Sequence, residues 1–136
     1  MKRNPNHPRS AKPLRLLVVD DSPSTRKLVT EACSELPIKL VGHARDGVSA
    51  IRMMRRNHPD VAILDLQMPK LGGLEVLKTI RAEELASIVI VFTSMPADPY
   101  RRKCRAAGAD AFFEKPQDIR KLVKLLTTIQ RPTTRQ

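Results

Sequence analysis

Between Leu14 and Gln130, short runs of apolar residues alternate with longer segments whose apolar positions recur at helical spacing. That is the pattern of repeated βα units around a parallel sheet. Five units can be counted. The first strand is read over Leu16 to Asp20. The helix after it opens at Ser22 as N-cap, with Pro23 in the first helical position, and turns Leu28, Val29, Ala32 and Leu36 inward until Pro37 closes it. A second strand over Lys39 to Ala44 leads to a helix from about Asp46, with Val48, Ile51 and Met54 on its apolar side. Val61 to Leu64 is short, aliphatic and β-branched, as a strand covered on both faces should be, and it stops at Asp65. A helix over Leu74 to Glu84, a strand over Ile88 to Phe92, a helix over Pro99 to Ala107, a strand over Ala109 to Phe113 and a helix over Gln117 to Gln130 complete the series. The fold class expected is therefore α/β, a doubly wound parallel sheet.

Composition narrows this without changing it. The 136 residues are 41% hydrophobic and 29% charged but only 3% aromatic, which suits one domain with an aliphatic core and leaves little for base stacking. The 25 Lys and Arg against 14 Asp and Glu give a net charge of +11, and its location matters more than its size. Residues 1–15 hold Lys2, Arg3, Arg9, Lys12 and Arg15 with no acid, and Arg131 and Arg135 lie in the tail; the chain between keeps 18 bases and 14 acids, a net of +4. Residues 1–13, with three prolines and no large apolar residue after Met1, read as an extended basic arm; residues 14–130 read as the domain and 131–136 as a short tail. Specific nucleic-acid binding by the arms is not the expectation. Cys33 and Cys104 are isolated thiols without the spacing of a disulfide framework or a zinc site. No apolar run approaches the roughly 18 residues of a membrane helix, and the N-terminal charge is not followed by a cleavable apolar segment. A cytoplasmic location without membrane insertion is expected.

In an open α/β sheet, loops converge outside the carboxyl ends of the strands. The chain's distinctive polar residues fall there: Asp20 and Asp21 after the first strand, Asp65 after the third, Thr93 and Ser94 after the fourth, and Lys115-Pro116 after the fifth. With strand order 2-1-3-4-5 the first and third strands are neighbours, and three carboxylates meet in one crevice. Taken singly, each Asp could be an ordinary cap or loop residue. Together they repel unless a cation offsets them, and a hard, all-oxygen donor set points to Mg2+. Beside a carboxylate, a hydroxyl and an ammonium group, that ion suggests phosphoryl transfer onto an Asp.

These residues resemble the receiver domains of two-component response regulators, which carry a double acid after the first strand, an Asp after the third followed by Met-Pro, a Ser or Thr after the fourth and a Lys-Pro after the fifth. Here the matching segments are VVDDS at 18–22, ILDLQMPKLGGLEVLKTIR at 63–81, VFTS at 91–94 and FFEKP at 112–116, and the likeness spans Leu14 to about Gln130. The resemblance implies a flavodoxin-like (βα)5 fold, Asp65 as phosphoacceptor, and Mg2+ held by Asp20, Asp21, Asp65 and the Gln67 backbone carbonyl. It further implies Thr93 and Lys115 in contact with the phosphoryl group, Thr93 and Phe112 as a conformational switch, and a cis Lys115–Pro116 bond. Phe112 lacks the phenol hydroxyl often found at its position, so its switching would work by packing. Two departures stand out. Gly72 sits where receivers often carry Asp or Asn, which suggests a more flexible Gly72-Gly73 turn, and Ser94 sits where many have Ala or Gly, which suggests reduced access to the pocket.

Competing motifs fail on single residues. GHARDG at 42–47 has P-loop glycine spacing but is followed by Val48-Ser49 with no Lys. An aspartyl-phosphate hydrolase would need an acid two residues after its nucleophile, where this chain has Gln67. His7, His43 and His58 are scattered, and none reads as a ligand or base. The expectation is a stand-alone, single-domain response regulator in a phosphorelay, a phosphoacceptor signalling protein and not an enzyme beyond its own phosphorylation and dephosphorylation. Its phosphodonor would be a histidine kinase or histidine phosphotransfer protein, and its output a protein partner. The alternative is a receiver-like interaction module whose basic arms bind nucleic acid or an acidic partner independently of phosphorylation; the complete set of acids, hydroxyl and Lys argues against it.

Overall fold

The computed structural model describes residues 12–129, so nearly all of the basic arm and the whole 131–136 tail lie outside the described residues. Five strands, β1 (Leu14–Val19), β2 (Ile38–Ala44), β3 (Val61–Leu64), β4 (Ile88–Thr93) and β5 (Ala111–Glu114), pair in parallel in the order β2-β1-β3-β4-β5. Helices α1 (Pro23–Ala32), α2 (Gly47–Asn57), α3 (Gly73–Glu83), α4 (Ala97–Ala106) and α5 (Ile119–Thr128) follow the strands in turn. This is the flavodoxin-like doubly wound architecture expected from the sequence.

Strand side chains alternate between faces, and the core divides accordingly. Leu14, Leu16, Val18, Ile63, Ile90 and Phe92 pack with Val29 of α1 and with Leu122 and Leu126 of α5. On the other face Leu17, Val19, Leu64, Val91 and Phe112 pack with Ile51 and Met54 of α2, Leu77 and Ile80 of α3, and Cys104 of α4. All four residues of β3 are buried, because it is the central strand and is covered on both sides. Cys33 and Cys104 are both buried as free thiols.

Strand and helix ends differ from the sequence reading by one to three residues, the usual latitude of element boundaries. Three differences have physical causes. Val48 was expected on the apolar side of α2 but is 46% exposed; Gly47, Ala50, Ile51 and Met54 form the buried side instead. The helix expected from Pro99 includes Ala97 and Asp98, yet Asp98 has φ −104° and ψ 127°, so regular helix does begin at Pro99, across a cis Asp98–Pro99 bond. Finally, neither Gly72 nor Gly73 has a positive φ. The left-handed positions of that loop are Lys70 (φ 62°) and Leu71 (φ 148°).

Candidate functional site

Asp20 and Asp65 are each held by the backbone amide of the residue two positions further on. Ser22 caps α1, its Oγ accepting from the Thr25 amide at 3.3 Å, while its own amide donates to Asp20 Oδ1 at 2.8 Å. Asp20 is thus locked at the end of β1, 2% exposed. Asp65 continues β3: its amide donates to the Val19 carbonyl at 2.9 Å and its Oδ1 accepts from the Gln67 amide at 3.3 Å. One carboxylate oxygen from each of Asp20, Asp21 and Asp65 can be chosen so that all three lie within 4.8 Å of one another. Asp21 is the exposed member and opens the cluster to solvent.

Lys115 reaches this cluster from the far side of the sheet. Its backbone amide donates to the Thr93 carbonyl at 2.9 Å, extending the β4–β5 ladder, and its Nζ donates to Asp20 Oδ2 at 2.8 Å, Asp65 Oδ2 at 3.1 Å and Thr25 Oγ1 at 3.1 Å. Lys115–Pro116 is cis. Thr25 was missed by sequence reasoning, which read only apolar residues on the inner face of α1. It is buried and gives the ammonium a third acceptor.

Burial pushes the Asp20 carboxyl above its ordinary range. Hydrogen bonds from Lys115 and the Ser22 amide pull the other way and do not fully offset it, and the Asp65 charge adds to the rise. For Lys115, burial favours the neutral amine, but Asp20 and Asp65 outweigh it and hold the ammonium firmly protonated. Three carboxylates therefore face one buried cation. An acid whose folded-state pKa is raised stabilises the fold when protonated, and that stability is lost as pH rises through the raised value. The difference in Tm between metal-free native protein and Asp20→Asn, which isolates this contribution, is expected to shift against the native protein as pH rises above the ordinary carboxylate value of 3.8. Parallel native and variant profiles would contradict this reading of the pocket.

Neither the Thr93 hydroxyl nor Phe112 is bonded to the cluster. Thr93 is fully buried, and its Oγ1 accepts from the Met95 amide at 3.3 Å. Phe112, 5% exposed, packs in the α2–α3–α4 side of the core, with the Arg101 guanidinium 5.2 Å from its ring centroid. Exposed Gln67 accepts through Oε1 from Ser94 Oγ at 3.3 Å, bridging the loops that follow β3 and β4.

Two further residues brace the site. His43 of β2 contacts the Asp20 carbonyl through Nε2 at 2.9 Å and Arg26 Nη1 through Nδ1 at 3.2 Å. Burial, aided by the charges of Arg26 and Arg45, lowers its pKa, so the neutral ring donates from Nε2 to Asp20 and accepts at Nδ1 from Arg26. Glu114 accepts from the Ala97 amide at 3.0 Å and from Gln117 Nε2 at 3.2 Å, tying β5 to the first turn of α4. No local sequence pattern marks either role, since both partners lie on other elements.

Residues 16–127 match the response regulator receiver domain. The chain is 39% identical over 106 residues to protein-glutamate methylesterase/protein-glutamine glutaminase 4 of Myxococcus xanthus, covering 76% of this chain and 30% of that protein. It is 36% identical over 121 residues to the probable transcriptional regulatory protein TcrX of Mycobacterium tuberculosis, covering 89% and 51%. The chain thus spans from under a third to about half the length of these curated relatives. Among solved structures, the response regulator domain of Thermotoga maritima CheB superposes with TM-score 0.75 at 30% identity, covering 86% of this chain and 92% of that one. CheY in the CheX-CheY-BeF3-Mg+2 complex of Borrelia burgdorferi superposes with TM-score 0.78 at 27% identity, covering 86% and 89%.

Proposed function

The chain belongs to the response regulator receiver family of two-component signalling, and from that premise we propose that its domain accepts a phosphoryl group on Asp65 with Mg2+ and passes the change to a protein partner. The observation that carries this reading is the charge imbalance of the pocket: Asp20, Asp21 and Asp65 gather their oxygens within 4.8 Å, with Lys115 as the one cation bonded to them among the described residues. A compact, all-oxygen set with excess negative charge and one open side fits a hard divalent ion. Asp20, Asp21 and Asp65, with the Gln67 backbone carbonyl, would hold Mg2+. When bound, the ion supplies charge neutralisation for the transferred group.

The chain's own residues do the rest. Asp65 offers Oδ1 or Oδ2 to phosphorus, and the donor's leaving group departs. Lys115, already on Asp65 Oδ2, follows the charge onto the phosphoryl oxygens. Thr93, whose Oγ1 only accepts from the Met95 amide, is free to donate its hydroxyl to the same group. A ligand shifts such an equilibrium only by its differential contacts in the two states, which here are the Thr93 and Lys115 bonds. Ser94 and Gln67, bridging the loops beside Asp65, restrict the approach of water. The family points to a histidine kinase or histidine phosphotransfer protein as donor. No helix among the described residues is long and apolar enough to cross a membrane.

Intact-mass spectrometry with a small-molecule acyl phosphate donor tests the proposal. With Mg2+ the protein should gain the mass of one phosphoryl group, and with a chelator the gain should disappear. Equal uptake under both conditions would remove the metal from the reading.

A further inference from the structure

The ammonium of Lys115 has three N–H donors, and three acceptors take them: Asp20 Oδ2 at 2.8 Å, Asp65 Oδ2 at 3.1 Å and Thr25 Oγ1 at 3.1 Å. The donor set is full before any phosphoryl group arrives, so contact with one requires that bonds be exchanged. The three acceptors differ in what the receiver reaction asks of them. Under that reading Asp20 turns to the metal and Asp65 to phosphorus, whereas the Thr25 hydroxyl is neutral and lies on α1, outside both roles. Thr25 also differs from other helical threonines of this chain. Thr30 and Thr79 donate to the carbonyl four residues back in their own helices, at 2.7 and 3.0 Å, while Thr25 is buried and its hydroxyl accepts from a side chain 90 positions away. A buried hydroxyl is costly without a partner, and Lys115 supplies it.

We propose that Thr25 is a positioning residue for phosphoryl transfer: its hydroxyl is the fixed point on which the Lys115 ammonium pivots as its other N–H groups pass from the Asp20 and Asp65 carboxylates to the phosphoryl oxygens. The inference rests on the receiver reading and adds a residue to its machinery. The pivot is held from two sides. Ser22 Oγ accepts from the Thr25 amide at 3.3 Å and the Ser22 amide donates to Asp20 Oδ1 at 2.8 Å, so one residue sets two of the three acceptors relative to each other. Pro23, at the first helical position, stiffens the turn between them. Lys115 reaches the pocket on a flexible four-carbon stem, and its ammonium can follow whichever carboxylate moves. Once the charges of Asp20 and Asp65 are drawn off, Thr25 is the one of these three acceptors whose chemistry is unchanged, and it keeps the ammonium within reach of the reacting oxygen. It does so without adding a fourth carboxylate to the pocket. A small displacement of such a group costs rate out of proportion to the strength of the bond that was lost.

Thr25→Val keeps the β-branched shape and removes the acceptor, and Thr25→Ser keeps the acceptor and removes a methyl group. Two measurements read the result. In NMR spectra of isotope-labelled, metal-free protein at low temperature, the Lys115 ammonium signal, assigned by its loss in Lys115→Ala, should shift or broaden in Thr25→Val and stay close to native in Thr25→Ser. With Mg2+ and a small-molecule acyl phosphate donor, intact mass should show phosphoryl uptake slowed at least about fivefold in Thr25→Val and restored to within about twofold in Thr25→Ser, with both melting temperatures within about 4 °C of native. Four results would each overturn the proposal: uptake unchanged in Thr25→Val, an ammonium signal that does not respond to it, slowing by Thr25→Ser as large as by Thr25→Val, or slowing that tracks a larger loss of melting temperature. Native protein that takes up no phosphoryl group fails the receiver reading, whereas normal native uptake that Thr25→Val leaves intact fails only this inference.

Discussion

Asp65→Asn is expected to fold as the native protein does and to take up no phosphoryl group. The amide has nearly the volume of the carboxylate, and its oxygen can still accept from Lys115 Nζ or from the Gln67 amide, the two bonds Asp65 makes at 3.1 and 3.3 Å. Its NH2 group meets the Lys115 ammonium or the amide less well, which costs a fraction of a hydrogen bond, about 1 kcal/mol. Removing one charge from three crowded carboxylates offsets that cost, because it leaves Asp20 and Lys115 as a simple pair at 2.8 Å. What is lost is the anionic nucleophile, and an amide oxygen does not replace it. Thermal melts should therefore agree within about 4 °C, roughly 1 kcal/mol for a domain of this size, while the phosphorylated mass falls below detection. A variant that gained the phosphoryl mass at a rate near the native one would move the acceptor role to another side chain, with Asp20 and Asp21 the first to test.

Asp20, Asp65 and Thr93 were legible in the sequence for one physical reason: each directly follows or ends an apolar run of a buried strand, where a polar residue has no place in the core and needs another explanation. Lys115 follows the edge strand β5, which already ends on Glu114, and was legible from the Lys-Pro pair that closes it. The burial of β3 on both faces is what makes ILD readable as strand, strand, site. Thr25 was not legible, because a small hydroxyl residue on an amphipathic helix looks like filler until Lys115 arrives from 90 residues away. His43 and Glu114 were hidden for the same reason: alternation places them on or beside a strand, but only the sheet order puts His43 against Asp20 and only the α4 turn brings Ala97 to Glu114. Val48 misled because helical spacing alone does not say where the apolar stripe ends. The small residues Gly47 and Ala50 set that edge instead, where α2 closes on Leu71 and Val76.

The adjacent glycines at the start of α3 are expected to respond oppositely to substitution. A Cβ on Gly73 would sit inside contact distance of the Asp65 carbonyl oxygen and 2.6 Å from Leu66 Cα, and both are backbone atoms that cannot swing aside. Gly73 also donates its amide to the Leu66 carbonyl at 3.1 Å, so the helix start cannot back away without losing that bond. Ala gains up to about 1 kcal/mol over Gly in helix propensity, but overpacking a closed contact costs about 1–3 kcal/mol and should win. Gly73→Ala should lower the Tm by about 5–10 °C. It should also slow phosphoryl uptake more than stability alone explains, because the atoms displaced belong to the residue that carries the acceptor, and displacements well under 1 Å already matter to a reacting group. Gly72 is different: it is the N-cap of α3 without a side-chain capping bond, its φ of −67° and ψ of 161° suit any residue, and the nearest atom to its Cβ is 3.9 Å away. Gly72→Asn adds a capping acceptor and should hold the Tm or raise it slightly. Equal melting temperatures for native protein and Gly73→Ala would mean that the β3–α3 junction yields freely, and that the position of Asp65 is not fixed by that close approach.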